Sequence, residues 1–299
     1  MVVDRRALAL MVVLVLAGCG EPAPRTGPAP VTSPIVEAAP VVSGGAGPVV
    51  SSGPVVSSGP VVSSGPAVLP GAAGTGVHPR VVRHGPRDGK RVALTFDADM
   101  TDAMAARLRR GEVKSYANLR LLGILEKRRI PATFFVTGQW AEEYPEVTRR
   151  IVGNPRFEVA NHSYEHAAFT GDCYDLPRVG PADMTEDVAK TFRALEPFGG
   201  RQTRYFRFPG LCHDRAALQA LAPLGVTVVD GDVVSGDPFA RGPDPVVNAV
   251  LSQVKPGSVV IMHVTEANAR YTDDALPAIL AGLRRRGLEP VTLSELLAG

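Results

Sequence analysis

The chain has 299 residues, enough for one or two domains, and a formal net charge of +2. A balance so near neutral leaves no electrostatic footprint for nucleic acid and excludes that class of partner. Hydrophobic residues at 45% are enough for a large core, but the 31 glycines and 27 prolines concentrate before residue 90, so the core has to come from the residues beyond it.

The first feature in chain order is a targeting signal. Arg5 and Arg6 precede an apolar run over 7–17, too short to cross a hydrocarbon core of about 30 Å as a helix. It closes on Leu16-Ala17-Gly18-Cys19, and small residues before a cysteine resemble the lipobox of bacterial lipoproteins. The resemblance implies a signal peptide over 1–18, lipid on the Cys19 thiol, and a mature protein anchored to the extracytoplasmic face of the cell membrane. A plain secretory signal that happens to contain a cysteine is the alternative. Residues 19–82 read as a disordered spacer, because GPVVSS runs three times in succession over 47–64 and puts Gly-Pro and Ser-Ser into every unit.

Residues 83–299 alternate short apolar runs with longer amphipathic ones. Strands are predicted at 92–96, 132–136, 157–160, 205–208, 226–229, 258–262 and 288–291. Helices are predicted at 116–129, 142–152, 181–195, 214–221, 243–254 and 273–286. Near-continuous apolar strands alternating with helices point to an α/β fold, an irregular seven-unit (β/α) barrel. The polar residues that stand out come after its strands: Asp97 and Asp99 the first, His162 and His166 the third, Arg207 the fourth, Asp232 and Asp237 the fifth, His263 the sixth. In such a barrel these strand ends share one face, where the fold places its chemistry.

His162 and His166 stand at i and i+4, a spacing that on a helical turn brings both imidazoles to one ion. A carboxylate from the first strand end would be a third ligand, leaving positions open for water. Arg207 lies among apolar residues and needs a carboxylate partner. Asp237 is placed to accept the proton-bearing nitrogen of His263 and favour its charged form, which suits a general acid. With Cys19 lipidated, Cys173 and Cys212 remain, either as a disulfide or as two buried thiols.

The ordered set Thr95-Phe96-Asp97-Ala98-Asp99, Asn161-His162-Ser163-Tyr164-Glu165-His166, Arg207-Phe208-Pro209-Gly210, Ser235-Gly236-Asp237 and Ile261-Met262-His263 resembles the polysaccharide deacetylases, carbohydrate esterase family four. The likeness extends over about 90–299, with Pro131 to Gly138 matching the family's second strand. It implies a metal-dependent hydrolase of amide bonds that removes acetyl groups from glycan, with zinc as the usual ion; a monomer is expected. On this likeness Asp97 is the general base, His162 and His166 hold the ion, and Arg207 orients Asp97. The Gly210 backbone N–H stabilises the oxyanion, and His263, tuned by Asp237, protonates the leaving amine. Peptidoglycan is the expected substrate because it is the polymer nearest an anchored enzyme; chitooligosaccharide is the next.

Three positions depart from the family pattern: Ala98 where a second adjacent aspartate is usual, Gly210 for a tyrosine, and Pro238 for a tryptophan of the aromatic wall. Residues two apart on a strand face the same way, so Asp99 is expected as the displaced metal ligand, with Asp102 as the fallback. Two other readings compete with the deacetylase. One is a zinc peptidase of the H-x-x-E-H type with Glu165 as base; the other is a lipoprotein that binds glycan without turnover.

Overall fold

A computed structural model describes residues 78–299. The expected signal segment, Cys19 and the spacer up to residue 77 lie outside the described residues.

The elements run in the order β1 (Val81–Val82), β2 (Arg91–Ala98), α1 (Asp102–Arg109), α2 (Leu119–Lys127), β3 (Ala132–Val136), α3 (Gly138–Glu143), α4 (Pro145–Val152) and β4 (Phe157–Asn161). After them come α5 (Met184–Leu195), β5 (Gln202–Phe206), α6 (Arg215–Leu221), β6 (Thr227–Val229), β7 (Val233–Val234), α7 (Pro243–Gln253), β8 (Val259–His263), α8 (Thr272–Arg285), β9 (Glu289–Val291) and α9 (Leu293–Leu297). The strands form one sheet in the order β1-β6-β5-β4-β3-β2-β8-β7, and every pairing between them is parallel. β9 pairs with the first residues of β2 (Arg91 opposite Glu289), and β3 takes over that edge from Thr95. The result is a curled half-barrel with helices packed outside it.

Both faces of the sheet are buried, which is why its strands read as continuous apolar runs. Leu94, Phe96, Ala98 and Met100 face the helix layer, in one core with Leu121, Leu122, Val250, Ile279 and Leu283. Ala93 faces inward, in a smaller core with Phe135, Ala160, Val229, Val259, and Leu293 and Leu296 of α9. The same alternation carries Asp97 and Asp99 to the inner side.

The outermost strands β1 and β7 are not paired with each other. The segment after β1 closes that side instead. His84 bridges Ser258, the Gly85 N–H donates to the Gly257 carbonyl at 2.8 Å, and Arg87 pairs with Asp232 at 2.7 Å. Asp232 also accepts from the Val259 N–H and the Ser258 hydroxyl, so it belongs to this closure and not to the face where sequence position grouped it.

All seven expected strands are present, with ends shifted by a few residues. β1 and β7 hold only two residues each, too few to show a period, and β1 falls inside the 19–82 span expected to be spacer. The expected helix 142–152 is two helices, because Pro145 starts a new one after Tyr144. α1 was not expected, although Thr101 caps it by accepting the Met104 N–H and Asp102 occupies its first turn.

Gly257 has φ +79°, and a Cβ there would collide with the Pro86 carbonyl oxygen and lie 2.7 Å from that of Gly85. Neither backbone oxygen can yield without opening the closure. Gly257→Ala is therefore expected to cost about 2 kcal/mol or more of stability. A urea unfolding midpoint equal to the parent's would contradict this.

Candidate active site

β2 ends in the middle of the sheet, and the backbone at its end is pinned on both sides. The Asp97 carbonyl accepts the Val264 N–H at 2.9 Å, the Ala98 carbonyl accepts the Thr137 hydroxyl at 3.0 Å, and the Asp99 N–H donates to the Thr265 hydroxyl at 3.1 Å. Asp97 and Asp99 are 4% and 6% exposed, so both carboxylates need partners inside the protein. For Asp97 the partner is Arg207, itself without solvent exposure, whose Nη1 donates to Asp97 Oδ1 at 2.5 Å. Arg207 also donates from Nε to the Val229 carbonyl and lies over the Phe135 ring, 3.9 Å from its centroid.

Asp99 lies among three histidines. Its Oδ1 is 3.4 Å from His162 Nε2 and 3.5 Å from His166 Nε2, and its Oδ2 is 3.8 Å from His263 Nε2. The two histidines of the Asn161–His166 segment do converge, with ring centroids 4.9 Å apart, but not on the expected helical turn. Beyond Asn161, the last residue of β4, the segment is a loop with positive φ at Ser163 (70°) and His166 (54°). His162 Nδ1 lies 2.9 Å from the Arg207 carbonyl, which can only accept, so Nδ1 donates there and Nε2 is the ring atom turned toward Asp99.

Burial would raise the Asp99 carboxyl, but the His166, His263 and His162 imidazoles outweigh it and hold the group well below the usual carboxylate range. Burial pushes His166 down to about 4 against the pull of Asp99, so its imidazole is neutral at pH 7 and free to ligate. His263 goes the other way: burial opposes its charge, yet Asp237, Asp99 and Asp97 lift it to about 10. Its Nδ1 meets Asp237 Oδ1 at 2.8 Å and its backbone N–H meets Oδ2 at 2.8 Å. Asp237 is completed by the hydroxyls of Ser235 (2.7 Å) and Thr272 (2.6 Å).

Asp99, His162 and His166 offer one ligand atom each, all within 4.8 Å of one another. Asp99 Oδ1 is buried and has no hydrogen-bond donor among the described residues. A buried carboxylate oxygen without a donor, facing two imidazole nitrogens, fits a divalent cation. Asp102 is not part of this group: it sits in the first turn of α1 and accepts from Gln139. Glu165 makes no ion pair with the cluster among the described residues.

Gly210 lies three residues beyond Arg207 in a tight turn at φ +61°, where a Cβ would come within 2.5 Å of Cys173 Sγ. Cys173 and Cys212 form a disulfide, which settles the two alternatives left by the sequence and ties this turn to the loop before α5. Thr272 gives no sequence signal, since it is a helix residue joined to the site only by the packing of α8. Ser235 stands two residues before Asp237, a spacing that favours a local hydroxyl–carboxylate bond.

Comparison with known proteins gives one consistent answer. A polysaccharide deacetylase family model matches residues 84–229. The chain is 32% identical over 188 residues to a chitooligosaccharide deacetylase of a Bradyrhizobium species, covering 59% of this chain and 82% of the relative. This chain is a polysaccharide deacetylase family member. It is also 27% identical to a peptidoglycan-N-acetylglucosamine deacetylase of Bacillus cereus, over 71% of this chain and 70% of that one. A carbohydrate esterase family four pseudoenzyme of Bacillus anthracis has a similar fold, with a TM-score of 0.58, 24% identity, and coverage of 73% and 69%. The family is one of hydrolases that act on acetylated glycans, so the fold class and the enzyme class are those the motifs implied.

The loop that carries the two histidines is held from α5, where Asp187 accepts the Tyr164 N–H at 2.9 Å. Burial raises this carboxyl from 3.8 to about 6, with Glu165 adding to the rise. The folded state therefore binds the extra proton, and stability falls as pH rises from about 4 to about 6. Asparagine accepts the same N–H without the charge. After allowance for partial exposure, Asp187→Asn is expected to be more stable than the parent by about 1–2 kcal/mol at pH 7 and no more stable at pH 4. Equal urea midpoints at pH 7 would show that the buried charge costs nothing.

Proposed function

We propose that the protein is a lipid-anchored, extracytoplasmic deacetylase that removes N-acetyl groups from N-acetylglucosamine-containing cell-wall glycan, with peptidoglycan as the first candidate. The observation that carries the reading is the convergence of Asp99, His162 and His166 around a carboxylate oxygen that lacks a donor, with the Asp97–Arg207 and His263–Asp237 pairs beside it. The preference for N-acetylglucosamine rests on what the Bradyrhizobium and Bacillus cereus relatives are named for. Peptidoglycan is preferred because a chain lipidated at Cys19 and carried on a Gly/Pro/Ser-rich spacer meets the wall first.

A divalent ion held by Asp99, His162 and His166, zinc in the first instance, would supply Lewis acidity toward the acetyl carbonyl and lower the pKa of water in the site. The chain's own groups divide the remaining work. Asp97, oriented by Arg207, takes a proton from the attacking water. The Gly210 N–H donates to the oxygen on which negative charge develops. His263, kept charged by Asp237, gives its proton to the departing nitrogen, without which an amine is a poor leaving group.

The assignment separates two aspartates that differ by two positions. Asp97→Asn is expected to keep metal affinity and lose about 10²–10⁴ in kcat on N-acetylglucosamine oligomers. Asp99→Ala is expected to weaken zinc binding by more than about a hundredfold, read by competition with a chromogenic chelator. Acetate release from peptidoglycan and chitooligosaccharide should stop in chelator and return with zinc. If zinc-loaded protein released no acetate from either polymer yet bound them, the chain would be a glycan-binding protein and the deacetylase reading would fall. If Glu165→Gln lost as much activity as Asp97→Asn, the division of roles would be wrong.

A further inference from the structure

Two of the largest exposed apolar side chains have no role in the site described so far. Tyr174 and Phe239 are 69% and 75% exposed, while every other phenylalanine, tyrosine and tryptophan described is buried or half-buried. They come from different segments, the loop between β4 and α5 and the turn after β7, yet their ring centroids are 6.2 Å apart with planes tilted by 30°. Neither occupies a position that the family's motifs assign, because the aromatic positions of those motifs hold Gly210 and Pro238.

Both rings are fixed from below by the site itself. Tyr174 is next to Cys173, whose disulfide to Cys212 ties it to the Gly210 turn. A Cβ on Gly210 would lie 2.9 Å from Tyr174 Cδ2, so the missing side chain at 210 is the space the tyrosine ring fills. Phe239 ends the single helical turn that Asp237 begins, and Asp237 holds His263. The pair therefore spans from the candidate oxyanion turn to the partner of the candidate acid.

We infer that Tyr174 and Phe239 form an apolar ledge on which one pyranose ring of the glycan stacks while its neighbour's acetamide reaches the carboxylates. The inference rests on the glycan reading of the site and adds to it the surface that holds the polymer. A pyranose in the β-linked gluco series turns a face of C–H bonds outward and keeps its hydroxyls at the rim. An aromatic face, negative at its centre, complements those C–H bonds, and two adjacent rings cover about the length of one sugar. Water leaves apolar surface on both partners when they meet, which accounts for keeping two large rings exposed at the mouth of a polar site.

The test is calorimetric titration of the full chain with chitotetraose in chelator, so that binding is read apart from turnover. Tyr174→Ala and Phe239→Ala are each expected to weaken binding about threefold to tenfold, the range of an aromatic contact. Tyr174→Phe should bind like the parent, and melting temperatures should stay together. Parent-like affinity in both alanine variants overturns the ledge, as does the absence of measurable binding by the parent. It is equally overturned if the alanine variants only convert a dimer to a monomer in sedimentation with sugar affinity unchanged, because the rings would then serve a second copy of this chain. Acetate release by the zinc-loaded parent tests the catalytic reading separately. Failure there with ring-dependent binding keeps the ledge, and success there with ring-independent binding removes it alone.

Discussion

Arg207 has no access to solvent, and the way the protein meets its charge organises everything around it. A guanidinium buried without partners would cost several kcal/mol. Here its side chain reaches Asp97 and the Val229 carbonyl over the Phe135 ring. Its backbone is used as well: the N–H donates to the Asn161 carbonyl and the carbonyl receives His162 Nδ1. One residue therefore joins the ends of β2, β3, β4 and β6. It orients a candidate base and sets the tautomer of a candidate metal ligand in the same act.

Charge balance leads from that residue to the cation. Asp97, Asp99 and Asp237 are buried carboxylates, and the cations that face them are Arg207 and a His263 lifted to about 10. One negative charge is left over, and it sits on Asp99, whose Oδ1 has no donor among the described residues. Neutral His166 adds a ligand atom but no charge, and His162 turns its Nε2 toward the same oxygen. Such a cluster is incomplete as a protein structure and complete as a site for a divalent ion. His263 is paired with Asp237 and Asp97 with Arg207, so the group that gives a proton and the group that takes one each have a partner of their own.

Much of this was legible in the sequence, for identifiable reasons. The strands were found because both sheet faces are buried and their runs are apolar throughout. Asp97 and Asp99 were assigned to one side because β2 alternates up to its last residue, and Leu94, Phe96 and Ala98 do face the helices while Asp97 faces in. Ala98, a departure in the motif, is thus a helix-facing core residue. The histidine spacing pointed to two rings that do converge, but not by the geometry it suggested: i and i+4 imply a helical turn, whereas the segment is a loop with positive φ at Ser163 and His166. Contacts across long sequence distances were not readable. Thr272 on Asp237, Asp187 under Tyr164 and the meeting of Tyr174 with Phe239 all depend on which helices and loops pack side by side. The disulfide was an open alternative because two cysteines 39 residues apart carry no geometric information until the loop and the turn are placed.

The central claim is that Asp99, and not Asp97, completes a cation site with His162 and His166. Anomalous diffraction at the zinc edge, from crystals grown with zinc, tests it most directly. The account predicts one strong peak in contact with an Asp99 oxygen and the Nε2 atoms of His162 and His166 at about 2.0–2.2 Å, with Asp97 still on Arg207. A peak bound through Asp97 with Asp99 turned away, or no peak among these three residues while zinc binds elsewhere, would contradict it.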